Sequence, residues 1–564
     1  MAVPLVSVPV FLSGDDGEAE GTPSSLTRLT NAELARSYAV YSVCSLPWLI
    51  DIAPALLAWS STTMIPGVKA LTEFFVRITF FDHFCGGAES AEDAKLIISK
   101  LAEQRVGAML TYSVEAESGS AKSAAAANAA GESLLHTELI KEVLNSVDFA
   151  ADMNEKQHVG SSVAIKVSGL LKDPSTLARV SAAIVPRQGF NTESGKAVTS
   201  FDHAIAQRKI HGISEADSAA MLELLQALQQ AGKRAQQGKV KMVVDAEQSW
   251  LNPAIDLLCV ELAREFNQLP SKRFAEQDQT LQATPTFYFT LQTSLRRSEQ
   301  FLKEMLEDAR NYGYSLGVKA VRGAYVDAEH KDAAKLSMQS PAWNSKDETD
   351  ACFNGCASQL VTEIAAEAGQ SIKQGQSTSV GAFFATHNHA SVDKLLSLMV
   401  ETNLATQLQI GAATITQEAS PIPLTMGNEQ DATSTAVQPS HPPHSTKILL
   451  SPAAQERIAF GQLLGMADDI TDHLATHLRG TEPSSINGVS DPCVYKYLPY
   501  GPLEKVMPYL VRRGKENKSV MAGNGQNGGA VKEKRRIEAE TRRRVKAWWR
   551  GEPAVPGAAV AAAP

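Results

Sequence analysis

Short apolar runs rich in β-branched residues recur along the chain, and each is followed by a polar turn and then by a helical pattern of apolar positions. Eight such runs can be counted, and they begin at Val106, Ser162, Lys239, Pro285, Leu316, Gly381, Arg457 and Pro492. Near-continuous apolar strands that alternate with helices indicate a parallel sheet covered on both faces. Eight repeats favour a closed (β/α)8 barrel over an open sheet, so we predict an α/β barrel over residues 106–520.

The segments outside the predicted barrel have other patterns. Residues 1–30 are polar and contain Gly, Ser and Pro, which is typical of a disordered segment. Helical patterns dominate residues 31–105, where we expect an N-terminal helical region, and residues 521–564 form a Gly/Asn linker and a basic tail. Within the barrel, residues 117–131 are of low complexity and residues 417–446 are rich in proline, so both are predicted to be surface loops.

Two of these outer segments could contact a membrane. Residues 38–66 are apolar over a length that raises the question of a membrane span, but two prolines and an aspartate lie in the middle, where a spanning helix tolerates them least. We therefore expect packed or membrane-resting helices there. The basic tail forms either a solvated helix or a contact with anionic lipid through Trp548 and Trp549.

The composition excludes several classes of protein. With 564 residues, of which 44% are hydrophobic and 20% charged, the chain is typical of a soluble globular protein rather than of a disordered or fibrous one. Its net charge of -9 argues against a surface built to bind nucleic acid. The six cysteines form no C-x-x-C pair, which argues against a zinc ribbon or a disulfide framework and fits a reducing compartment.

Polar residues follow the predicted strands, which is where a barrel of this kind gathers its catalytic groups. They are Lys166 and Ser168 after the second strand, Asp245 and Glu247 after the third, Gln292 at the end of the fourth, Arg322 and Tyr325 after the fifth, Thr386, His387 and His389 after the sixth, and Tyr497 in the eighth. The helix after the eighth strand carries Arg512, Arg513 and Glu516. Apolar strands that repeatedly end in such residues indicate a functional site.

Several of these residues also have a structural explanation. A buried lysine such as Lys166 is costly without a partner, so it could form a salt bridge inside the barrel, with Asp245 as the partner. The Arg512-Arg513 pair could belong to a solvated helix face, since adjacent residues on a helix point in different directions. Asp245 and Glu247 could be ordinary acids at a strand end.

His387 and His389 raise the question of a metal site. The pair resembles the H-x-H zinc ligands of metal-dependent barrel hydrolases. In those enzymes the pair lies on the first strand, whereas here it closes the sixth, and no further histidine stands at the end of a later predicted strand. We therefore predict no metal, and the two histidines could also be ordinary hydrogen-bonded side chains.

Seven short elements together resemble the ordered motif set of the proline dehydrogenases. They are KVSG at 166–169, DAE at 245–247, AVRGAY at 320–325, ATHN at 385–388, FGQLLGM at 460–466, YKYLPYGP at 495–502 and YLVRRGKEN at 509–517. The resemblance covers roughly residues 30–520, and NAELARSYAVYSVCSLPWLID and the FNGCA element near Phe353 are similar to the fungal branch. It implies a (β/α)8 barrel with FAD bound non-covalently at the C-terminal ends of the strands.

The resemblance also implies a role for each candidate residue. The implied flavin contacts are Gln292, Lys319, Val321, Gly323, Thr386, His387 and Glu516. Bacterial members usually have an arginine near flavin N5 in place of Lys319, and a lysine can donate there but cannot form a bidentate fork. The implied substrate contacts are a carboxylate clamp of Lys166, Arg512 and Arg513, pocket walls of Tyr325, Leu464 and Tyr497, Asp245 as the residue that holds the Tyr497 hydroxyl, and Glu115 as a lid latch to Arg512.

The function that the resemblance implies is oxidation of L-proline to Δ1-pyrroline-5-carboxylate, by hydride transfer to flavin N5 and passage of electrons to a membrane quinone. Eukaryotic members are mitochondrial, although the acidic N-terminus of this chain shows neither a secretory signal nor an Arg-rich transit peptide. Other functions stay open: a hydroxyproline dehydrogenase, which Tyr497 disfavours because it leaves less room beside the ring, an FAD barrel of the methylenetetrahydrofolate reductase kind, and a non-catalytic barrel that binds a partner.

Overall fold

The computed structural model describes residues 25–46, 48, 52, 67–113, 129–157, 160–185, 212–269, 284–369, 379–410, 445–480, 492–523 and 529–550. Four segments of the sequence lie mostly outside these ranges: 1–30, 38–66, 117–131 and 417–446.

Eleven strands are present among the described residues. In chain order they are β1 (Gly107–Tyr112), β2 (Ser161–Ile165), β3 (Lys241–Val244), β4 (Phe287–Gln292), β5 (Leu316–Val321), β6 (Val380–Ala385), β7 (Ala405–Ile410), β8 (Ser445–Leu450), β9 (Ile458–Leu463), β10 (Leu478–Gly480) and β11 (Val494–Tyr500). Eight of them close into a parallel barrel in the order β1-β11-β9-β6-β5-β4-β3-β2. Each barrel strand begins within two residues of one of the eight apolar runs, so the predicted fold is confirmed.

The other three strands form a small sheet that the sequence pattern did not predict. β7 and β8 pair antiparallel, and β10 pairs parallel to β8. In β8, Ile448 and Leu450 are buried whereas Lys447 and Leu449 are only partly covered. Such alternation over a few residues is a weaker signal than a continuous apolar run. The predicted loop at 417–446 also extended too far, because its last two residues begin β8.

Helices surround the barrel. In chain order they are α1 (Asn31–Cys44), α2 (Val68–Val76), α3 (Asp82–Cys85), α4 (Lys95–Glu103), α5 (Ala129–Gln157), α6 (Ser175–Ile184), α7 (Glu215–Gln237), α8 (Asn252–Phe266), α9 (Ser298–Tyr312), α10 (Val326–Lys335), α11 (Lys346–Gly369), α12 (His389–Glu401), α13 (Pro452–Arg457), α14 (Asp468–His477), α15 (Leu503–Gly523) and α16 (Gly529–Trp549). A π-helical turn, Arg77–Phe81, joins α2 to α3, and 3-10 turns lie at Ser25–Arg28 and Ser168–Leu170.

Apolar side chains on both sides of the strands stabilise the barrel. The larger set fills the space between strands and helices. The smaller set forms a separate buried cluster of Met109, Ala164, Val243, Tyr288, Phe383, Ala459 and Tyr495. Because successive strand residues point to opposite faces, burial of both faces produces the near-continuous apolar runs in the sequence. Burial of each large apolar side chain contributes about 1.5–3 kcal/mol.

The C-terminal helix α16 packs against the N-terminal helix α1. Arg544 of α16 is buried, donates to the carbonyl oxygens of Leu26 and Leu29 and to the side chain of Asn31, and pairs with Glu540. Apolar contact between the two ends of the chain comes from Leu26, Leu34, Tyr41 and Ile537. A solvated helix was one alternative for the basic tail. It is wrong for the face of α16 that packs against α1, because the apolar residues Ile537 and Ala547 are buried there between the charged residues.

Other faces of the outer helices carry exposed apolar side chains. On α2 these are Leu71, Phe74 and Phe75, and at the end of α16 they are Trp548 and Trp549. Within the part of the chain that the structure describes, no helix combines the length and apolar character needed to cross a bilayer.

Replacing Arg544 with alanine should loosen the contact between α16 and α1. The change leaves Glu540 buried without this partner and removes the donor to Leu26 and Leu29, so we expect a loss of about 2–4 kcal/mol in the free energy of unfolding. Urea titration of Arg544→Ala and of Arg542→Ala, whose side chain is exposed, measures the difference. A loss in Arg544→Ala no larger than in the Arg542 control would show that α16 does not stabilise the fold through this contact.

Candidate functional site

Asp245 lies at the carboxyl end of the barrel, directly after β3, and is only 8% exposed. Nζ of Lys319 on β5 lies 2.5 Å from Asp245 Oδ1, and the hydroxyl of Tyr497 on β11 donates to Oδ2 over 2.7 Å. The Lys319 ammonium group also lies 5.1 Å from the centre of the Tyr497 ring. Three residues from three parts of the barrel thus form one hydrogen-bonded group, called here the Asp245 unit, and the expected contact between Asp245 and Tyr497 is present.

Neighbouring charges set the ionisation of the Asp245 unit. Burial raises the pKa of the Asp245 carboxyl, but the ammonium groups of Lys319 and Lys166 outweigh burial and hold this pKa below its ordinary value. Burial and the Asp245 charge raise the pKa of Tyr497 well above its ordinary value. At neutral pH Asp245 is therefore a carboxylate that accepts two hydrogen bonds, and Tyr497 keeps its proton.

A network of buried polar groups fixes Gln292 at the end of β4. Asn252 Nδ2 donates to Gln292 Oε1 over 2.9 Å, and Gln292 Nε2 donates to the Glu247 carbonyl over 3.0 Å. The Glu247 carboxylate accepts hydrogen bonds from the backbone N–H and hydroxyl of Ser168, over 2.9 and 2.5 Å. Glu247 is therefore a buried connector between two strand ends. Sequence reasoning gave Asn252 no role, because nothing around it in the sequence indicates a contact with Gln292, 40 positions away.

Arg322, directly after β5, connects this strand to the end of β6. Its Nε donates to Asp350 over 2.6 Å, and its two terminal nitrogens donate to the hydroxyls of Thr386 over 2.6 Å and Ser391 over 2.8 Å. The guanidinium group lies 4.3 Å from the centre of the Phe353 ring. These contacts fix the position of Thr386. Sequence analysis placed Arg322 at a strand end without assigning it this anchoring role.

Gly323 allows the backbone after β5 to pack closely against Ser294. Its φ of +121° is rare for residues with a side chain, and a Cβ at this position would lie 2.4 Å from the hydroxyl oxygen of Ser294. Glycine is therefore required for this turn, which packs against Ser294 beside the buried Gln292 side chain.

His387, after β6, is a neutral imidazole. The backbone N–H of Leu463 donates to its Nε2 over 3.1 Å, so the ring proton belongs on Nδ1. Burial and the positive charges of Lys496 and Arg513 lower the pKa of His387 to about 3. The side chain therefore has an N–H donor at Nδ1 throughout the physiological pH range.

The next two residues of this motif have structural contacts. Asn388 caps α12 by accepting the backbone N–H of Ser391, and His389 Nε2 lies 2.6 Å from Asp469. Lys532 of α16 reaches the same carboxylate at 3.0 Å. Among the described residues, no group of three or more His, Cys, Asp or Glu side chains is arranged to hold a metal ion.

Two arginines of α15 face the same end of the barrel. Arg512 Nη1 donates to the Tyr325 hydroxyl over 3.3 Å. Arg513 is 5% exposed, pairs with Glu516 at 2.7 Å, and lies 4.7 Å from the centre of the Tyr509 ring. The alternative of a solvated helix face is therefore wrong for Arg513.

The remaining candidates also lie at strand ends. Lys166 follows β2, Val321 ends β5, and Leu464 follows β9. The structure thus brings predicted residues from seven barrel strands to one rim of the barrel. These strands are β2, β3, β4, β5, β6, β9 and β11. Glu115, the proposed latch to Arg512, lies outside the described residues.

Comparison with known proteins gives the same family over most of the barrel. The family model described as Proline dehydrogenase matches residues 94–414 and 425–523, well over half of the chain. The chain belongs to the proline dehydrogenase family. Members of this family are oxidoreductases that act on proline in its catabolism.

Individual relatives are distant but cover most of the chain. Proline dehydrogenase 2, mitochondrial, of Arabidopsis thaliana is 25% identical over 91% of this chain and 88% of its own length. Proline dehydrogenase 1, mitochondrial, of Dictyostelium discoideum is 23% identical over 88% of this chain and 70% of its own. Hydroxyproline dehydrogenase of Homo sapiens is 25% identical over 87% of each chain. Identity therefore does not separate the two substrates within the family.

One solved structure supports the fold. Proline utilization A from Bdellovibrio bacteriovorus, inactivated by N-propargylglycine, superposes with a TM-score of 0.54 at 16% identity. The match covers 88% of this chain, and the chain spans 40% of the length of that larger protein.

The carboxylate of Asp245 should make the stability of the protein depend on pH, whereas the amide of an Asp245→Asn variant should not. The pKa of Asp245 is lower in the folded protein than in the unfolded chain, where it is about 3.9. The ionised carboxylate therefore stabilises the fold fully above about pH 3.9, and this stabilisation is lost as the pH falls through the pKa of the folded protein. Asp245→Asn leaves Lys319 buried without its ion pair, so we expect a loss of about 3 kcal/mol at pH 7 that shrinks below about pH 4.

Urea titrations at several pH values, with wild type and Asp245→Asn in parallel, measure this difference. Asp152→Asn removes an exposed carboxylate and should change stability by less than about 0.5 kcal/mol at every pH. A constant difference between wild type and Asp245→Asn from pH 7 to pH 3 would contradict the assignment.

Proposed function

We propose that this chain catalyses FAD-dependent oxidation of L-proline to Δ1-pyrroline-5-carboxylate and passes the electrons to a quinone. The observation that carries the proposal is the pair Arg512 and Arg513, held beside the barrel rim that bears the Asp245 unit. Two guanidinium groups suit a small carboxylate substrate, since each can form charge-assisted hydrogen bonds to it. A non-catalytic barrel would have no need for such a group of cations, because Arg513 and Lys319 are buried and burial of charge is costly.

The residues at the rim fit FAD. His387 offers a neutral Nδ1–H donor, and Lys319 places an ammonium group on the neighbouring strand β5. The residues that would hold the cofactor are Gln292, Lys319, Val321, Gly323, Thr386, His387 and Glu516. Bound FAD would supply the hydride acceptor, flavin N5.

Substrate binding is assigned to three cations. Arg512, Arg513 and Lys166 would bind the proline carboxylate and so fix the orientation of the ring. Hydride can leave the ring carbon only when the neighbouring amine is neutral. The same positive charges disfavour a cationic amine, so they would lower the pKa of the bound proline ammonium and favour its neutral form.

The walls of the pocket are assigned to Tyr325, Leu464 and Tyr497. Asp245 holds the Tyr497 hydroxyl, and the raised pKa of Tyr497 makes proton transfer from it unfavourable. Asp245 and Tyr497 would therefore orient the pocket rather than move protons. The fixed ring of Tyr497 limits the room beside the substrate, which favours proline over hydroxyproline.

The electron acceptor and the location are further parts of the proposal. The exposed side chains of Leu71, Phe74 and Phe75, and of Trp548 and Trp549 beside a basic helix, support contact with a membrane that contains the quinone. Relatives from Arabidopsis and Dictyostelium are named mitochondrial, and we propose the same location for this chain.

Anaerobic addition of proline should bleach the yellow colour of the FAD-loaded protein.

Arg512→Ala and Arg513→Ala should each lower kcat/KM for proline by roughly ten- to a hundred-fold, with little change in flavin content, because each variant loses one charge-assisted contact of about 1.5–3 kcal/mol. Arg542→Ala serves as the control for removal of a positive charge elsewhere. The proposal fails if the protein takes up no FAD or if proline leaves its spectrum unchanged.

Tyr497→Ser should shift the ratio of kcat/KM from proline toward trans-4-hydroxyproline, because it opens space beside the ring. A pocket change of this size corresponds to about 1–3 kcal/mol of discrimination. Asp245→Ala should produce a milder shift, since it frees the Tyr497 side chain without deleting it. The ratio is measured with a dye acceptor, and an unchanged ratio in Tyr497→Ser would show that this tyrosine does not line the pocket.

A further inference from the structure

The loop between β9 and α14, Leu464–Ala467, has an unusual backbone and is called here the Gly465 loop. Gly465 has a φ of +71° and Ala467 a φ of +50°, although alanine rarely adopts the left-handed region. A non-glycine residue in this region is costly, so surrounding contacts must hold the loop in place. The loop begins with Leu464, a proposed wall of the substrate pocket.

The carbonyl oxygen of Gly465 accepts two side-chain hydrogen bonds from the N-terminal helices. The hydroxyl of Tyr41 on α1 donates to it over 2.9 Å, and Nε2 of His83 on α3 lies 3.0 Å from it. The rings of Tyr41 and His83 meet edge to face, with centres 5.1 Å apart. Both side chains are buried, so water does not readily replace either contact.

Both groups keep the proton that the contact requires. Burial, followed by the charges of Asp468 and Glu533, raises the pKa of Tyr41 well above its ordinary value, so its hydroxyl remains a donor. Burial lowers the pKa of His83 to about 4, so the ring is neutral at pH 7. Because a carbonyl oxygen can only accept, the His83 proton belongs on Nε2.

The packing at this point is direct. A Cβ at Gly465 would lie 2.6 Å from the His83 carbonyl oxygen and 3.0 Å from its Nε2. The N-terminal helix α3 therefore lies against the backbone of the loop, and only glycine permits this approach.

The other side of the loop is held by the barrel. Lys496 on β11, 3% exposed, donates to the carbonyl of Met466 over 2.8 Å and to Asp468 over 2.6 Å. The backbone N–H of Leu464 donates to the carbonyl of Tyr497 over 3.0 Å. The loop is thus fixed between the barrel and the N-terminal helices.

The same helices contact the segment that carries the arginine pair. Met466 packs in one buried cluster with residues of α1, the π-helical turn, α3 and α15. In this cluster Tyr509 and Leu510 lie within one helical turn of Arg512 and Arg513. The N-terminal helices therefore support two parts of the proposed substrate site.

We propose that the N-terminal helical segment is part of the substrate site, with Tyr41 and His83 as positioning residues that fix Leu464 through the Gly465 carbonyl. The segment then determines how tightly the substrate ring is held, although neither residue touches the substrate. This inference rests on the proposed function for the identity of the substrate, but the contact with the loop does not.

The test compares FAD-loaded full-length protein with three variants and one control. Tyr41→Phe and His83→Leu each remove one donor, and His83→Gln supplies an amide N–H in place of the imidazole N–H. Tyr38→Phe removes a hydroxyl from a partly exposed position on the same helix and serves as the control. Hydrogen exchange at the amides of Leu464 and Met466 reports on the loop, and steady-state kinetics with proline report on the pocket.

We expect amide exchange in the loop to rise roughly five- to ten-fold in Tyr41→Phe and in His83→Leu, as for the loss of one hydrogen bond each. KM for proline should rise by a similar factor, with less than about a two-fold change in kcat and in FAD content, because the lost interaction acts on the bound substrate and transition state alike. His83→Gln should recover part of both effects, and Tyr38→Phe should resemble wild type.

Two results would overturn the inference. One is loop exchange in Tyr41→Phe and His83→Leu equal to that of the control, which would show that the helices do not hold the loop. The other is faster exchange with an unchanged KM, which would show that the loop does not govern substrate binding. If wild type itself fails to oxidise proline, the proposed function fails together with the statement about the substrate, whereas the exchange rates still decide whether Tyr41 and His83 hold the loop.

Discussion

Closure of a parallel sheet into a barrel is the constraint on which the rest of this structure depends. In a closed parallel barrel every strand ends at the same rim, so residues far apart in sequence become neighbours without any local motif. Asp245 and Tyr497, 252 positions apart, share a hydrogen bond for this reason. The helices and loops outside the barrel then decide how firmly each rim residue is held.

The residues proposed for the site carry more positive than negative charge. Of the residues proposed for the site, Lys166, Lys319, Arg512 and Arg513 are cations, whereas Asp245 and Glu516 are the carboxylates. Burying unpaired cations is costly, and the structure limits this cost by pairing Lys319 with Asp245 and Arg513 with Glu516. The anionic substrate proposed for the site would add negative charge beside these cations, which connects the electrostatics of the rim to its proposed task.

The sequence predicted the barrel well because strands buried on both faces leave continuous apolar runs. It missed β7, β8 and β10, because alternation of buried and exposed residues, as in β8, is a weaker signal than a continuous apolar run. Among the site residues, the strand-end position of Arg322 was visible but its contacts with Thr386 and Asp350 were not, since they depend on the spacing between two strands. Asn252 and the Tyr41–His83 pair could not be predicted for a related reason. Polar or aromatic residues on helices carry no signal of the distant groups that they contact.

The contact of Arg544 with the start of α1 has a consequence for how the protein is made. Arg544 and Asn31 lie 513 positions apart, and at a synthesis rate of about 5–20 residues per second Arg544 follows Asn31 after roughly 25–100 seconds. During that time α1 emerges from the ribosome long before α15 and α16, against which it packs. Its apolar face, with Leu34, Val40 and Cys44, therefore lacks α15 and α16 as packing partners until these helices have been synthesised.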